Sequence, residues 1–310
     1  MGIFVILAIS LNVINGFTGM FSLGHAAFFG IGAYTAAVYM NYFGPEMGTA
    51  GFWFHFAVGM AGAVIAAGIC GALVAVPCLR LRGDYLAIAT LAFGEIAKIV
   101  FESFKPEILG GPKGLRVAVA LDARWAFFVV LAAIGLVAVI ARNVKVSATG
   151  RAFLAIRENE IAAQVMGINT AFLKVEAFVL GSALAGLAGG LFAYSRDLIA
   201  PSDFGLMTTI VVLLMIVVGG LGSITGAVVG ALALGLIDPL VRYLPELLAG
   251  AANNPVVVMV LMKIKDNPQM IYALLLIVLI RLRPQGIFGT HELMDLLKRP
   301  RRMEENGHAG

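Results

Sequence analysis

Charge is what this chain has least of: 13% of its 310 residues are Asp, Glu, Lys or Arg, against roughly 25% in an ordinary soluble domain. That scarcity excludes a water-facing surface for most of the polypeptide, and the mean hydropathy of +0.95 agrees. Cysteine is almost absent. Cys70 and Cys78, the 2 present, fall in one expected helix about 12 Å apart along its axis, beyond disulfide reach, and read as inert lipid-embedded thiols. Catalytic signatures are missing too. There is no GxxxxGK[ST] phosphate loop, no HExxH helix and no GxSxG elbow, and GGPKG at 110–114 lacks the phosphate-loop spacing. The chain therefore reads as no enzyme, and any nucleotide driving it must bind another polypeptide. No basic surface interleaved with aromatics points to nucleic acid, so the net charge of +4 reads as membrane topology. Nor does the N-terminus resemble a removed leader. It has no Lys or Arg before its apolar run, and Asn12, Asn15 and Gly16 follow instead of a small-residue cleavage site.

What the chain has in abundance is apolar sequence. A hydrocarbon core about 30 Å thick takes roughly 20 apolar helical residues to cross. Runs suited to this occur at residues 3–14, 26–43, 52–77, 85–104, 125–141, 173–194, 207–218, 226–243 and 270–282. The expected fold is an all-α, polytopic transmembrane bundle with about 8–9 membrane segments, some short or broken. The first, seventh and ninth runs are too short to cross alone, so they are expected to tilt, break or extend into the glycine-rich stretches beside them. Residues 1–283 form the membrane domain, and 284–310 a polar, basic tail. Of the 22 Lys and Arg, the larger share falls on the side carrying Arg142, Lys145, Arg151, Arg157, Lys174 and the tail. The positive-inside rule places these segments in the cytoplasm. With nine crossings, the N-terminus lies outside. Gly186 with Gly190, and Gly226 with Gly230, have the spacing that lets helix backbones approach closely in lipid.

Three constellations stand out. The first lies among glycines near the N-terminus, where Asn12, Asn15, Thr18, Ser22 and His25 interrupt apolar sequence. Polar groups in lipid mark either helix-to-helix hydrogen bonding around a tight turn or a broken helix bordering a solute path. The second is Glu95, Lys98 and Glu102 on one face of the fourth span. This is either an internal ion pair or a charge lining the path, with Glu95 the path candidate. The third is the stretch 150–169, where charged and apolar residues alternate at helical spacing. It reads as one short surface helix with Leu154, Ile161 and Val165 near one stripe and Gly167 placed to end it. Such a helix either lies on the membrane surface or inserts into a partner's groove.

The third constellation carries a resemblance. EIAA at 160–163 followed by Gly167 is similar to the EAA loop of ABC importer permeases, the element that docks on the cytoplasmic ATPase. GRAFLAIRENEIAA at 150–163 and AFVLGSALAGLAGG at 177–190 resemble the LivM-type branched-chain amino acid permeases. So do GFTGMFSLGHAAFFGIGAY at 16–34, RGDYLAI at 82–88, GGLGS at 219–223 and RPQGIFG at 283–289. The resemblance covers nearly the whole chain. It implies a permease domain over 1–283 with a coupling loop at about 147–174. It also implies a multi-pass location in the bacterial inner membrane with a cytoplasmic C-terminus, and inward transport of leucine, isoleucine and valine. Expected partners are a homologous permease subunit, two ATPase subunits that carry the ATP and Mg, an external solute-binding protein, and membrane lipid. No cofactor is expected on this chain. The ATPase-coupling candidates are Arg157, Glu158, Asn159, Glu160, Ala162, Ala163 and Gly167; the path candidates are Asn12, Asn15, Ser22, His25 and Glu95. A permease for urea or short amides fits the same motifs. An ion-coupled secondary transporter using Glu95 and Lys98, or a membrane scaffold, are the readings from other classes. Two departures from the family pattern are the start close to the first motif, which suggests a missed upstream start, and an extra segment at 253–268.

Overall fold

The computed structural model describes residues 1–236 apart from 46, 47, 50, 79, 80, 82, 119 and 120, together with 274, 277, 281, 286, 287 and 289. The expected segment at 253–268, most of 270–282, the far half of 226–243 and nearly all of the tail lie outside these residues.

Helices make up the described chain, in the order α1 Gly2–Leu11, α2 His25–Phe43, α3 Phe52–Cys78, α4 Asp84–Ser103, α5 Pro106–Leu109, α6 Ala123–Val146, α7 Ala148–Glu158, α8 Glu160–Val165, α9 Thr170–Tyr194 and α10 Leu206–Gly219. Helix α11, Ile224–Leu236, follows. Strand structure is confined to β1 Leu115–Arg116 and β2 Leu198–Ile199, which pair antiparallel with Leu115 opposite Ile199. The all-α expectation holds. Among the described residues three helices are long and apolar enough to cross a membrane, at Phe52–Pro77, Ala123–Val146 and Thr170–Tyr194, while Gly2–Phe17, Leu206–Gly219 and Ile224–Leu236 are shorter apolar helices. Helices α2 and α4 have the length but more polar sequence.

At the centre stands α9, packed against α1, α2 and α3. Its small residues make this possible. A side chain on Gly186 would strike the Ala63 carbonyl of α3, one on Gly189 would overlap the Phe29 carbonyl of α2, and one on Gly32 would overlap Gly186 itself. Backbones at such separation gain dispersion contacts that lipid cannot replace. Gly226 and Gly230 likewise meet Gly219 and Met215 where α11 turns back on α10. Both GxxxG spacings thus serve packing within the chain. Beside α9, Phe29, Phe192, Phe204, Tyr34 and Phe101 form an aromatic cluster joining α2, α4, α9 and the turn before α10, with Phe204 edge-on to the other four rings and Tyr34 stacked on Phe101.

The two ends of the bundle differ. At one end the β1–β2 pair is bracketed by Asn41, whose amide donates to Arg116 O at 2.8 Å and whose Oδ1 accepts from Ala118 N at 2.8 Å. At the other end, after α6, come α7 and α8. The single surface helix expected over 150–169 is two helices. Asn159 adopts extended backbone (φ −159°, ψ 106°) and its Oδ1 caps α8 by accepting from Ile161 N and Ala162 N, both at 3.0 Å. A cap of this kind ends one helix and starts another. Gly167 does end α8, at φ +82°, with Gly167 N donating to Gln164 O and Ile168 N to Ala163 O. That is the glycine-terminated arrangement that satisfies last-turn carbonyls.

Candidate functional site

The first helix does not stop at Leu11. It runs on as a π-helical segment, Asn12–Phe17, a rare geometry that leaves backbone groups out of the regular ladder. Thr18 closes it, its hydroxyl donating to Ile14 O at 2.6 Å. An irregular stretch with Gly19 at φ +71° then leads to α2. The expected broken first segment is present, and all of Asn12, Asn15, Thr18, Ser22 and His25 are buried there.

Their partners divide them into two groups. Asn12 is fully engaged: its Oδ1 accepts from Gly222 N at 2.8 Å and its Nδ2 donates to Ser223 O at 3.0 Å, clasping the turn between α10 and α11. A side chain on Gly16 would strike both Asn12 and Gly222 N, so glycine lets the two segments close. Asn15, Ser22 and His25 are only half engaged. Asn15 Oδ1 accepts from Ser22 N at 3.2 Å. Ser10 Oγ donates to Leu7 O at 2.7 Å and so receives the Nε2–H of His25, 2.7 Å away, leaving His25 Nδ1 as an acceptor. Among the described residues Asn15 Nδ2, Ser22 Oγ and His25 Nδ1 have no hydrogen-bond partner. Each such buried group costs about 1–3 kcal/mol unless something polar meets it. A seam of this kind is a surface that a polar solute or its water can use. The seam is held by neighbouring helices, since Thr90 Oγ1 of α4 accepts from Leu23 N and Thr209 Oγ1 of α10 accepts from Ala26 N.

Glu95 is not part of this seam. It sits half-buried on α4, and among the described residues neither it nor Lys98 or Glu102 has an ion-pair or hydrogen-bond partner. The internal pair that their spacing allows does not form; the stem of Lys98 runs near Gly205, ahead of α10.

The coupling candidates separate just as clearly. On α8, Ile161, Val165 and Met166 are 63%, 80% and 81% exposed, while Ala163 is buried. Glu160 turns back to an ion pair with Lys174 of α9 at 2.5 Å, and Gln164 donates to Thr170 Oγ1 at 2.8 Å. Asn159 and Gly167 are spent on the helix ends, and Glu158 and Ala162 are exposed. The result is a short, braced helix presenting an apolar face away from the bundle. Arg157 points the other way. Its Nη1 donates to Gly16 O at 2.7 Å and reaches Leu221 O at 3.5 Å. Lys145, at the end of α6, donates to Gly222 O at 2.7 Å and lies 5.9 Å from the Phe17 ring centre. The buried stripe of α7 is Gly150, Phe153 and Ile156 rather than one led by Leu154.

Sequence reasoning missed Ser10, Thr90, Thr209 and Lys145 as parts of this assembly. Ser10 had a visible signal, a hydroxyl in an apolar run one helical turn ahead of Ile14; the others bond across elements far apart in sequence.

Comparison with known proteins gives a consistent set of relatives. A family model described as "Branched-chain amino acid transport system / permease component" matches residues 1–281. The high-affinity branched-chain amino acid transport system permease protein LivM of Escherichia coli K12 is 35% identical over 276 residues, covering 79% of this chain and 62% of its own length. LivH of the same organism is 27% identical over 253 residues, covering 76% of this chain and 81% of itself. A probable LivM of Methanocaldococcus jannaschii is 25% identical over 250 residues, 77% of this chain and 70% of the relative. The chain thus spans 62% of the length of the Escherichia coli LivM it matches. No solved structure matches it significantly.

Proposed function

Because this chain belongs to the permease-component family of branched-chain amino acid transport systems, we propose that it is the transmembrane permease subunit of an ATP-binding cassette importer carrying leucine, isoleucine and valine inward. The observation that carries this reading is the braced helix α8, whose EIAA sequence exposes Ile161, Val165 and Met166 at one end of a membrane bundle. An apolar helical face of that size, held by the Glu160–Lys174 pair, suits insertion into a groove on a cytoplasmic ATPase.

In this reading the chain pairs with a homologous permease in the cell membrane, with two ATPase subunits binding ATP and Mg below and a solute-binding protein above. We propose about 8–9 membrane segments, and place the C-terminal tail in the cytoplasm, as the distribution of Lys and Arg favours. Closure of the ATPases moves α8, the permease pair opens toward the binding protein, and hydrolysis resets it. Asn15, Ser22 and His25 line the path, supported by their open hydrogen-bonding atoms. Glu95 lines it from α4, a half-buried carboxylate with no partner among the described residues.

Uptake of radiolabelled leucine by cells with and without this chain, challenged with unlabelled isoleucine, valine and urea, tests the proposal. Uptake should vanish on deletion, return with the chain, and fail to return with a Glu160→Ala, Gly167→Val variant at equal membrane abundance. Competition by urea but not by isoleucine would move the cargo to short amides. Uptake that survives ATP depletion and collapses with the ion gradient would replace the importer by a secondary transporter.

A further inference from the structure

We propose that Arg157 and Lys145 form the mechanical link through which the coupling segment moves the break in the first helix. This rests on the importer reading above, which supplies the force at α8; the link itself is argued from the bonds behind α8.

Both side chains are long cations close to the end of the bundle, where the ordinary outcome is a charged head extended into water. Neither does this. Arg157 is half-buried and spends its guanidinium on Gly16 O, inside the π-helical segment, and on Leu221 O, in the turn after α10. Lys145 spends its ammonium on Gly222 O in the same turn. The third member of the joint comes from the π-helical segment that follows α1, where Asn12 takes the N–H of Gly222. The turn is therefore held through the Leu221 and Gly222 carbonyls by the ends of α7 and α6, and through the Gly222 amide and the Ser223 carbonyl by Asn12.

The chemistry suits a link better than a plain packing contact. A hydrogen bond from a cation to a carbonyl is stronger than a neutral one, and stronger again away from bulk water. It also acts on backbone directly. Displacing Arg157 pulls on the peptide of Gly16 itself, with no second side chain on the receiving side to slide or change rotamer. The segments being pulled are the ones able to respond. The π turn lacks the regular ladder, and Gly222 at φ +88° sits where only glycine rests comfortably. A side chain at Gly222 would also meet the Arg157 guanidinium and displace it from its present position. A movement of α7 is thus delivered to two hinge-like stretches at once, and the π turn leads straight to the polar seam.

The test uses the complete reconstituted importer, with Cys70 and Cys78 replaced by Ala and a single reporter, Phe21→Cys, beside the seam, where Phe21 is exposed. The rate of modification by a small maleimide is compared without nucleotide and with ATP plus vanadate, alongside the amount of ATPase subunit co-purified. The parent complex should show a several-fold change in rate on nucleotide binding. Arg157→Ala should abolish most of that change while retaining the ATPase subunits, and Arg157→Lys, which keeps the charge but not the fork, should restore part of it. Arg157→Ala that responds to nucleotide like the parent would overturn the link, as would an Arg157→Ala complex that loses its ATPases, since that outcome assigns Arg157 to docking. A parent complex with no nucleotide response would reject the link together with the importer reading. A wrong cargo would show only in the leucine uptake assay and leave this measurement unchanged.

Discussion

Asn12 joins two segments that lie far apart in sequence, and it does so with both ends of one amide. Replacing it by Ala removes the acceptor for Gly222 N, leaving that buried N–H open at a cost of about 1–3 kcal/mol, while Ser223 O loses the amide but keeps its bond from Ala227 N. Asn12→Asp should be worse. It keeps an acceptor for Gly222 but sets a carboxylate against the Ser223 carbonyl, and an ionised group without a donor is costlier to bury than a missing one. Thermal unfolding of the purified protein in detergent should rank wild type above Asn12→Ala and Asn12→Ala above Asn12→Asp; equal midpoints would deny the clasp its role. How far such a residue is legible in sequence depends on what it contrasts with. Asn12, Asn15, Ser22 and His25 stood out because polar side chains in an apolar run need a reason. The destination of Arg157 did not, because helical spacing tells which way a side chain leaves its own helix and nothing of the carbonyls waiting there. Gly16 and Gly222 offer only backbone, which carries no sequence sign of its bonding.

Among the elements, α2 and α9 make the crossing most sensitive to volume. Gly32 meets the backbone of Gly186, and backbone cannot rotate aside as a long side chain can. Gly32→Val should therefore cost about 3 kcal/mol or more, the upper part of what overpacking usually costs, and should sharply reduce membrane abundance. Gly135, on the outer side of α6, meets nothing within 4 Å, so Gly135→Ala should be neutral or slightly stabilising. Quantitative immunoblotting of membranes separates the two, and equal abundance would mean that the α2–α9 contact is looser than described here. Hydrophobic runs foretold these helices well. They failed at the ends, where local chemistry outweighs hydropathy. The run at 3–14 continues to Phe17 as a π turn because Asn12 and Thr18 satisfy and close it. The surface stretch splits because Asn159 followed by Glu160 is an N-terminal signal that a periodic stripe, averaged across it, conceals.

For the whole molecule the decisive quantity is which end of the bundle faces the cytoplasm, since every step of the importer reading depends on it. Helix α9 connects the two ends: at its start lie α7, α8 and the Lys174 ion pair, and at its finish the β1–β2 pair. Its 25 residues span about 37 Å, enough to put those features on opposite sides of a bilayer. In the proposed orientation α8 lies in the cytoplasm, as the positive-inside rule favours for a segment with Arg142, Lys145, Arg151, Arg157 and Lys174 around it. In a background with Cys70 and Cys78 replaced by Ala, Val165→Cys should react with a membrane-impermeant maleimide only in inside-out vesicles. Leu198→Cys, also exposed, should react only in right-side-out ones. The reverse pattern would place α8 outside, away from any ATPase, and the apolar face of that helix would then have to be explained by a partner on the external side.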